Sequence, residues 1–254
     1  MKICTWMLIL CIALAGCAAR GGSGISSGGM NQQEVELRLN LAESYINNRQ
    51  PQFALQELLK VQSSADHLSR YHFDSGLAYI GLEEWEKARQ GFAQAVQIDD
   101  NFAEAWNNLG KINEVLRRDK EAEDAYRKAL GILTYVTPEF PAYNLGALML
   151  RQGRVKEAEE LGRKALARNW RYIPAYKLLA DAMVAQNRME EAESVLKSGL
   201  EADMDSASTM LALAEHQVRM GKSTEAQEIF QRIITQSPRS NEAKVAKDYL
   251  GLLQ

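Results

Sequence analysis

The sequence predicts an all-α protein, a right-handed α-solenoid of six stacked helix pairs closed by a C-terminal capping helix. Three observations predict it. Small residues recur at Ala42, Gly76, Gly110, Gly146, Ala180 and Ala214, at spacings of 34, 34, 36, 34 and 34 residues. Twelve residues after each stands an alanine: Ala54, Ala88, Ala122, Ala158, Ala192 and Ala226. Finally, 5 prolines in 254 residues are too few for the turns of an all-β sandwich, while 46% hydrophobic residues suffice for a core. A net charge of −3, with 33 acids against 30 bases, excludes global disorder and a basic nucleic-acid-binding surface.

Residues 1–16 read as an export signal, in which Lys2 precedes a continuous apolar run from Trp6 to Ala15. A bilayer-spanning helix needs about 20 apolar residues, so this run fits the shorter core of a signal peptide. It ends in Leu14-Ala15-Gly16-Cys17, which resembles the bacterial lipoprotein box. The resemblance implies that the Cys17 thiol takes a diacylglyceryl group, that the small residues admit the peptidase, and that the new amino terminus is acylated. Cys4 and Cys11 would leave with the signal, so no thiol remains for a disulfide, a metal site or a nucleophile. Several acyl chains anchor a protein stably. Ala18, where inner-membrane lipoproteins tend to carry Asp, favours the periplasmic face of the outer membrane. Residues 17–33 then form the lipidated N-terminus and a flexible Gly/Ser-rich linker.

Residues 34–254 form one repeat domain, with units near 35–68, 69–102, 103–136, 139–172, 173–206 and 207–240 and a capping helix over 241–253. Each unit reads as two antiparallel helices, A and B. The small residues sit where the two backbones approach, and Leu58, Phe92, Tyr126, Leu196 and Phe230, four beyond the alanine, fill the space between units. Gly153, Asn187 and Gly221 fall in the interhelix turn, where a positive φ ends helix A. No unit can bury its apolar face alone, so neighbours stack into a continuous core. Ser240 caps the last helix, whose Ala243, Val245, Ala246, Tyr249, Leu250 and Leu253 form an apolar stripe. Between the third and fourth units the step lengthens to 36, and Pro138 and Pro141 stop one helix and set the start of the next.

This pattern resembles the tetratricopeptide repeat, the third unit most closely, with Trp106, Leu109, Gly110, Ala122, Tyr126 and Ala129. The resemblance implies that helix A side chains line a concave face. Read in that register, the face includes Leu39 and Ile46, then Phe73, Leu77 and Ile80, then Asn107, Lys111 and Val115, then Phe140, Tyr143, Ala147 and Leu150. Val184, Leu211 and Val218 continue it. So apolar a face marks a partner site, and its natural guest is an amphipathic helix or an extended peptide. Phe73, Leu77, Ile80, Asn107, Lys111, Tyr143, Ala147 and Leu150 are the expected groove residues.

Other chemistry finds no support in the sequence. A carboxylate clamp needs basic residues beside its asparagines; Asn40, Asn108 and Asn144 share one repeat position, but Glu104 stands where a base is wanted. His67, His72 and His216 lack triad or ligand spacing. The acidic runs around Glu157–Glu160 and Glu190–Glu193 have basic neighbours and read as solvated helix faces. No phosphate-cradling loop is present. The expectation is therefore a protein without enzymatic activity, metal, cofactor, small-molecule substrate or nucleic-acid partner.

Lipoprotein box, six units and the stretch from Tyr135 through Thr137-Pro138-Glu139 to Tyr143-Asn144-Leu145-Gly146 together are similar to the type IV pilus biogenesis lipoproteins of the PilF/PilW type, or pilotins. That resemblance implies a protein partner, a subunit of the secretin ring, brought to the outer membrane and helped to multimerise. The alternative is a tetratricopeptide lipoprotein adaptor for cell-wall hydrolases or outer-membrane barrel assembly.

Overall fold

The computed structural model describes residues 30–253, which form thirteen α-helices and no strand. The expected signal segment, Cys17 and the linker up to residue 29 lie outside the described residues. In chain order the helices are α1 (Gln32–Asn47), α2 (Pro51–Ala65), α3 (Ser69–Gly81), α4 (Trp85–Ile98), α5 (Ala103–Val115), α6 (Asp119–Gly131) and α7 (Glu139–Arg151). They continue with α8 (Val155–Arg168), α9 (Pro174–Val184), α10 (Met189–Ala202), α11 (Ala207–Arg219), α12 (Ser223–Gln236) and α13 (Asn241–Leu252). Odd-numbered helices α1 to α11 are the A helices, each packed on the B helix that follows, and α13 covers α11 and α12. The all-α solenoid of six pairs and a capping helix is thus observed.

The small residues do what the spacing required. A Cβ placed on Gly110 would lie 2.5 Å from the Tyr126 ring, and one on Gly76 would lie 2.8 Å from Phe92. Both rings are fully buried, so the glycines let each A helix settle onto the large residue of its own B helix. Tyr126 is also pinned, because its hydroxyl donates to Glu114.

All six interhelix turns carry one residue with positive φ, at Arg49, Glu83, Arg117, Gly153, Asn187 and Gly221. Three of the six are neither glycine nor asparagine, yet they hold φ between 58° and 60°. The turn is imposed by helix packing rather than by residue choice, at a local cost of about 1 kcal/mol where a Cβ is present.

Successive B helices are tied by a ladder of ion pairs. The base that precedes each of the last four B helices reaches the B helix one unit back: Arg118 to Glu86 (3.3 Å), Arg154 to Glu123 (2.7 Å), Arg188 to Glu159 (2.7 Å) and Lys222 to Glu193 (2.5 Å). This corrects the reading of the acidic runs as merely solvated. The Glu159 and Glu193 side chains are only 14% and 9% exposed, because each is enclosed by the next unit.

The longer third step forms a loop from Ile132 to Pro138. Tyr135 turns inward and is buried, while Leu133 and Val136 stand out in solvent at 97% and 82% exposure. Pro138 caps α7, and buried Glu139 accepts from Asn169 Nδ2 at 2.9 Å. No helix among the described residues is long and apolar enough to cross a membrane.

Candidate protein-binding face

The A helices lie side by side, α1 against α3, α5 against α7, α7 against α9 and α9 against α11. Residues one repeat apart therefore line up across one broad face. Counting the small residue of each unit as its eighth, the fifth residues are Leu39, Phe73, Asn107, Tyr143, Lys177 and Leu211. Two of these side chains, Phe73 and Tyr143, meet rings in the segments that lead into the next A helix. Phe73 stacks on Phe102 with ring centroids 4.7 Å apart, and Tyr143 meets Tyr172 edge-on at 5.5 Å. In both pairs the second ring follows the first by 29 residues, so one repeat contact is made twice.

Several expected groove residues consequently show only part of themselves. Phe73, Leu77 and Ile80 are half-buried against the core shared by the second and third units. Tyr143, Ala147 and Leu150 are half-buried in the fourth unit, and Lys111 is exposed. Two residues require correction. Leu39 is fully buried in a core that the first unit shares with Tyr71 and Ala78 of α3. Asn107 is buried as well, and its Oδ1 accepts from Asn144 Nδ2 at 3.0 Å. Its amide links α5 to α7 and is not free for a guest.

The open part of the face is mixed in character rather than uniformly apolar. Phe140 is 39% exposed and packs on Tyr172 at 5.3 Å, so Phe140, Tyr143 and Tyr172 form an aromatic trio beside the extended loop. Burial, aided by Tyr143 and Glu139, pushes the Tyr172 hydroxyl up to about 12. Val115 is 53% exposed between Lys111 and the third unit's turn. Phe102 and Tyr172, which help shape the face, were not singled out from the sequence. Their signal was available in the 29-residue offset from Phe73 and Tyr143.

The asparagines of the rejected clamp are engaged within the fold. Asn40 accepts from Arg70 Nη2, Asn108 donates to the Glu104 carbonyl, and Asn144 donates to Asn107. His72 and His216 contact backbone carbonyls of Asp66 and Met189 respectively. Among the described residues no group of three or more His, Cys, Asp or Glu is arranged to hold a metal ion.

With that geometry established, known proteins fall into place beside it. A tetratricopeptide model, described as the C-terminal domain of cilia and flagella-associated protein 70, matches residues 25–209, and the tetratricopeptide repeat model matches 208–240. The chain belongs to the tetratricopeptide repeat family. Proteins of this family bind protein partners. Among solved structures it is similar to PilW, a widely conserved type IV pilus biogenesis factor, at 24% identity and a TM-score of 0.74, covering 85% of this chain and 99% of that one. It is similar too to PilF of Pseudomonas aeruginosa, at 17% identity and a TM-score of 0.72, covering 85% and 97%. Likeness at these identities shows the fold. Among curated proteins, the peroxisomal targeting signal receptor of Candida albicans is 32% identical over 132 residues, 52% of this chain and 19% of that protein. The chain spans about a fifth of the length of the curated relatives it matches.

Proposed function

We propose that this tetratricopeptide repeat protein is an outer-membrane-anchored scaffold for type IV pilus biogenesis, acting by binding rather than by turnover. In this reading residues 1–16 are the signal, Cys17 carries the lipid, and the Gly/Ser-rich segment that precedes α1 lets the solenoid reach its partner. A segment of a secretin subunit lies along the A-helix face, against Leu77, Lys111, Phe140, Tyr143 and Leu150. Tethering the subunit at the membrane raises its effective concentration there and so favours multimerisation.

The observation that carries the reading is the extent of the likeness to PilW, which takes in 99% of that chain and 85% of this one. That match runs through most of the helix pairs. The partly exposed aromatic trio and Lys111 support a polypeptide guest, since neither belongs to a closed core.

Deleting the gene tests the proposal. Loss of surface pili together with loss of heat-stable secretin multimers from the outer-membrane fraction is expected. Intact multimers with altered cell-wall turnover would favour the adaptor reading. A Cys17→Ala variant should remain folded but leave the membrane fraction, and its retention there would count against lipidation.

A further inference from the structure

Where α1 meets α3 on the A-helix face, three carboxylates share one guanidinium. Arg70 donates from Nη1 to Glu36 at 2.6 Å, and from Nη2 to Glu43 at 2.8 Å and to the Asn40 amide oxygen at 2.6 Å. All three acceptors belong to α1, so the guanidinium is drawn toward that helix. Asp74, one turn along α3 from Arg70, loses by this arrangement. Its Oδ2 stays 3.6 Å from Arg70 Nε, beyond hydrogen-bond reach, and is buried with no partner. The residue is only 3% exposed.

A buried carboxylate oxygen without a donor is costly, and proteins rarely leave one so unless something else completes the site. Arg70 on its own helix, with Glu36 and Glu43 from α1, are the charged groups that act on Asp74. The cluster is thus acidic by two charges when fully ionised. Its outer members, Glu36 and Glu43, are 57% and 53% exposed, so the excess opens onto the face. Leu77 follows Asp74 by three residues and supplies an apolar edge alongside.

We propose that Glu36, Glu43 and Asp74 form, around Arg70, a subsite for a positively charged side chain of the polypeptide bound along the A-helix face. This rests on the reading that the face binds a polypeptide. The incoming arginine or lysine takes Glu36 and Glu43, and Arg70, relieved of them, turns its donors to Asp74. The second cation completes a network that the free protein holds incomplete. Burial lifts the Asp74 carboxyl to about 7, so arrival of the cation also expels a proton, and binding strengthens as pH rises from 6 to 8.

The test uses the full chain and short amphipathic peptides of leucine and alanine that carry arginine, lysine or uncharged citrulline. The arginine peptide should bind wild type about tenfold more tightly than its citrulline twin. The lysine peptide shows whether planar geometry matters beyond charge. In the E36Q/E43Q variant, whose exposed changes leave helicity intact, that preference should shrink to less than twofold. D74N should flatten the pH dependence of the arginine peptide's affinity. Equal binding of the charged and citrulline peptides to wild type, or an undiminished preference in E36Q/E43Q, overturns the subsite and leaves the face as a binding surface. Failure of every peptide to bind overturns both.

Discussion

Arg188 donates from Nη1 to Glu159 Oε2 at 2.7 Å across the boundary between the fourth and fifth units, while Gln186 donates to the same oxygen at 2.7 Å. Hydrogen bonding from Gln186, and then from Arg163 and Arg188, holds the Glu159 carboxyl down at about 2 against the opposing effect of burial. Glu193 is held at about 2 by Lys222 and Lys197.

Both carboxylates sit below the unfolded value of about 4.3, so their stabilisation is fully present above that pH and disappears as pH falls toward 2. Their bases remain partly open to solvent, which limits each pair to about 1 kcal/mol at neutral pH. Between pH 4.5 and 2.5 the melting temperature of wild type should fall more steeply than that of E159Q/E193Q. Parallel slopes in the two thermal scans would mean the ladder does not couple the units.

Asp74 should act in the opposite direction. Its folded value, about 7, lies above the unfolded one because burial disfavours the charged form. The folded state therefore holds a proton that the unfolded state has lost between about pH 4 and 7, and stability declines across that window. D74N should therefore raise the melting temperature more at pH 8 than at pH 5, the difference corresponding to about 3 kcal/mol in free energy. Calorimetry at the two pH values checks this.

Glu83 and Arg117 hold a conformation suited to glycine, with φ of 59° and 60°. Replacing either by glycine should raise the urea midpoint, by about 0.5–1 kcal/mol after the greater freedom of glycine in the unfolded chain is counted. The reverse change, Gly153→Arg, should lower it by a similar amount.

Gly110→Ala should be costly, because the new methyl would lie 2.5 Å from a buried ring that Glu114 holds by its hydroxyl. Overpacking of this kind costs about 1–3 kcal/mol. In the sixth unit Ala214 already faces Phe230, a ring with no hydroxyl to fix it. Y126F should accordingly recover part of the loss in G110A, as measured by thermal unfolding of the single and double variants.

The repeat was legible because backbone approach within one unit depends on residues twelve and sixteen apart, and only small and large side chains satisfy it. Half of the turns were legible for the same reason, through Gly153, Asn187 and Gly221. Arg49, Glu83 and Arg117 gave no such sign, since packing overrides their preference. Contacts between units were read less well. The acidic runs have bases three or four residues away, which offered a local explanation and hid partners a whole repeat distant. Asn107 and Leu39 looked open because the rotation of one unit on the next, which buries them, is not written in either unit alone.

The central claim is that the A-helix face grips a polypeptide in the native envelope. A photo-crosslinking side chain in place of Phe140 on that face, and another in place of Leu59 on the B helix α2, tests it in cells. Both sites are exposed, at 39% and 63%, so neither substitution disturbs the core. The account predicts a covalent adduct with a secretin subunit from the Phe140 position and none from Leu59. No adduct from the Phe140 position, or equal capture at both, would contradict it.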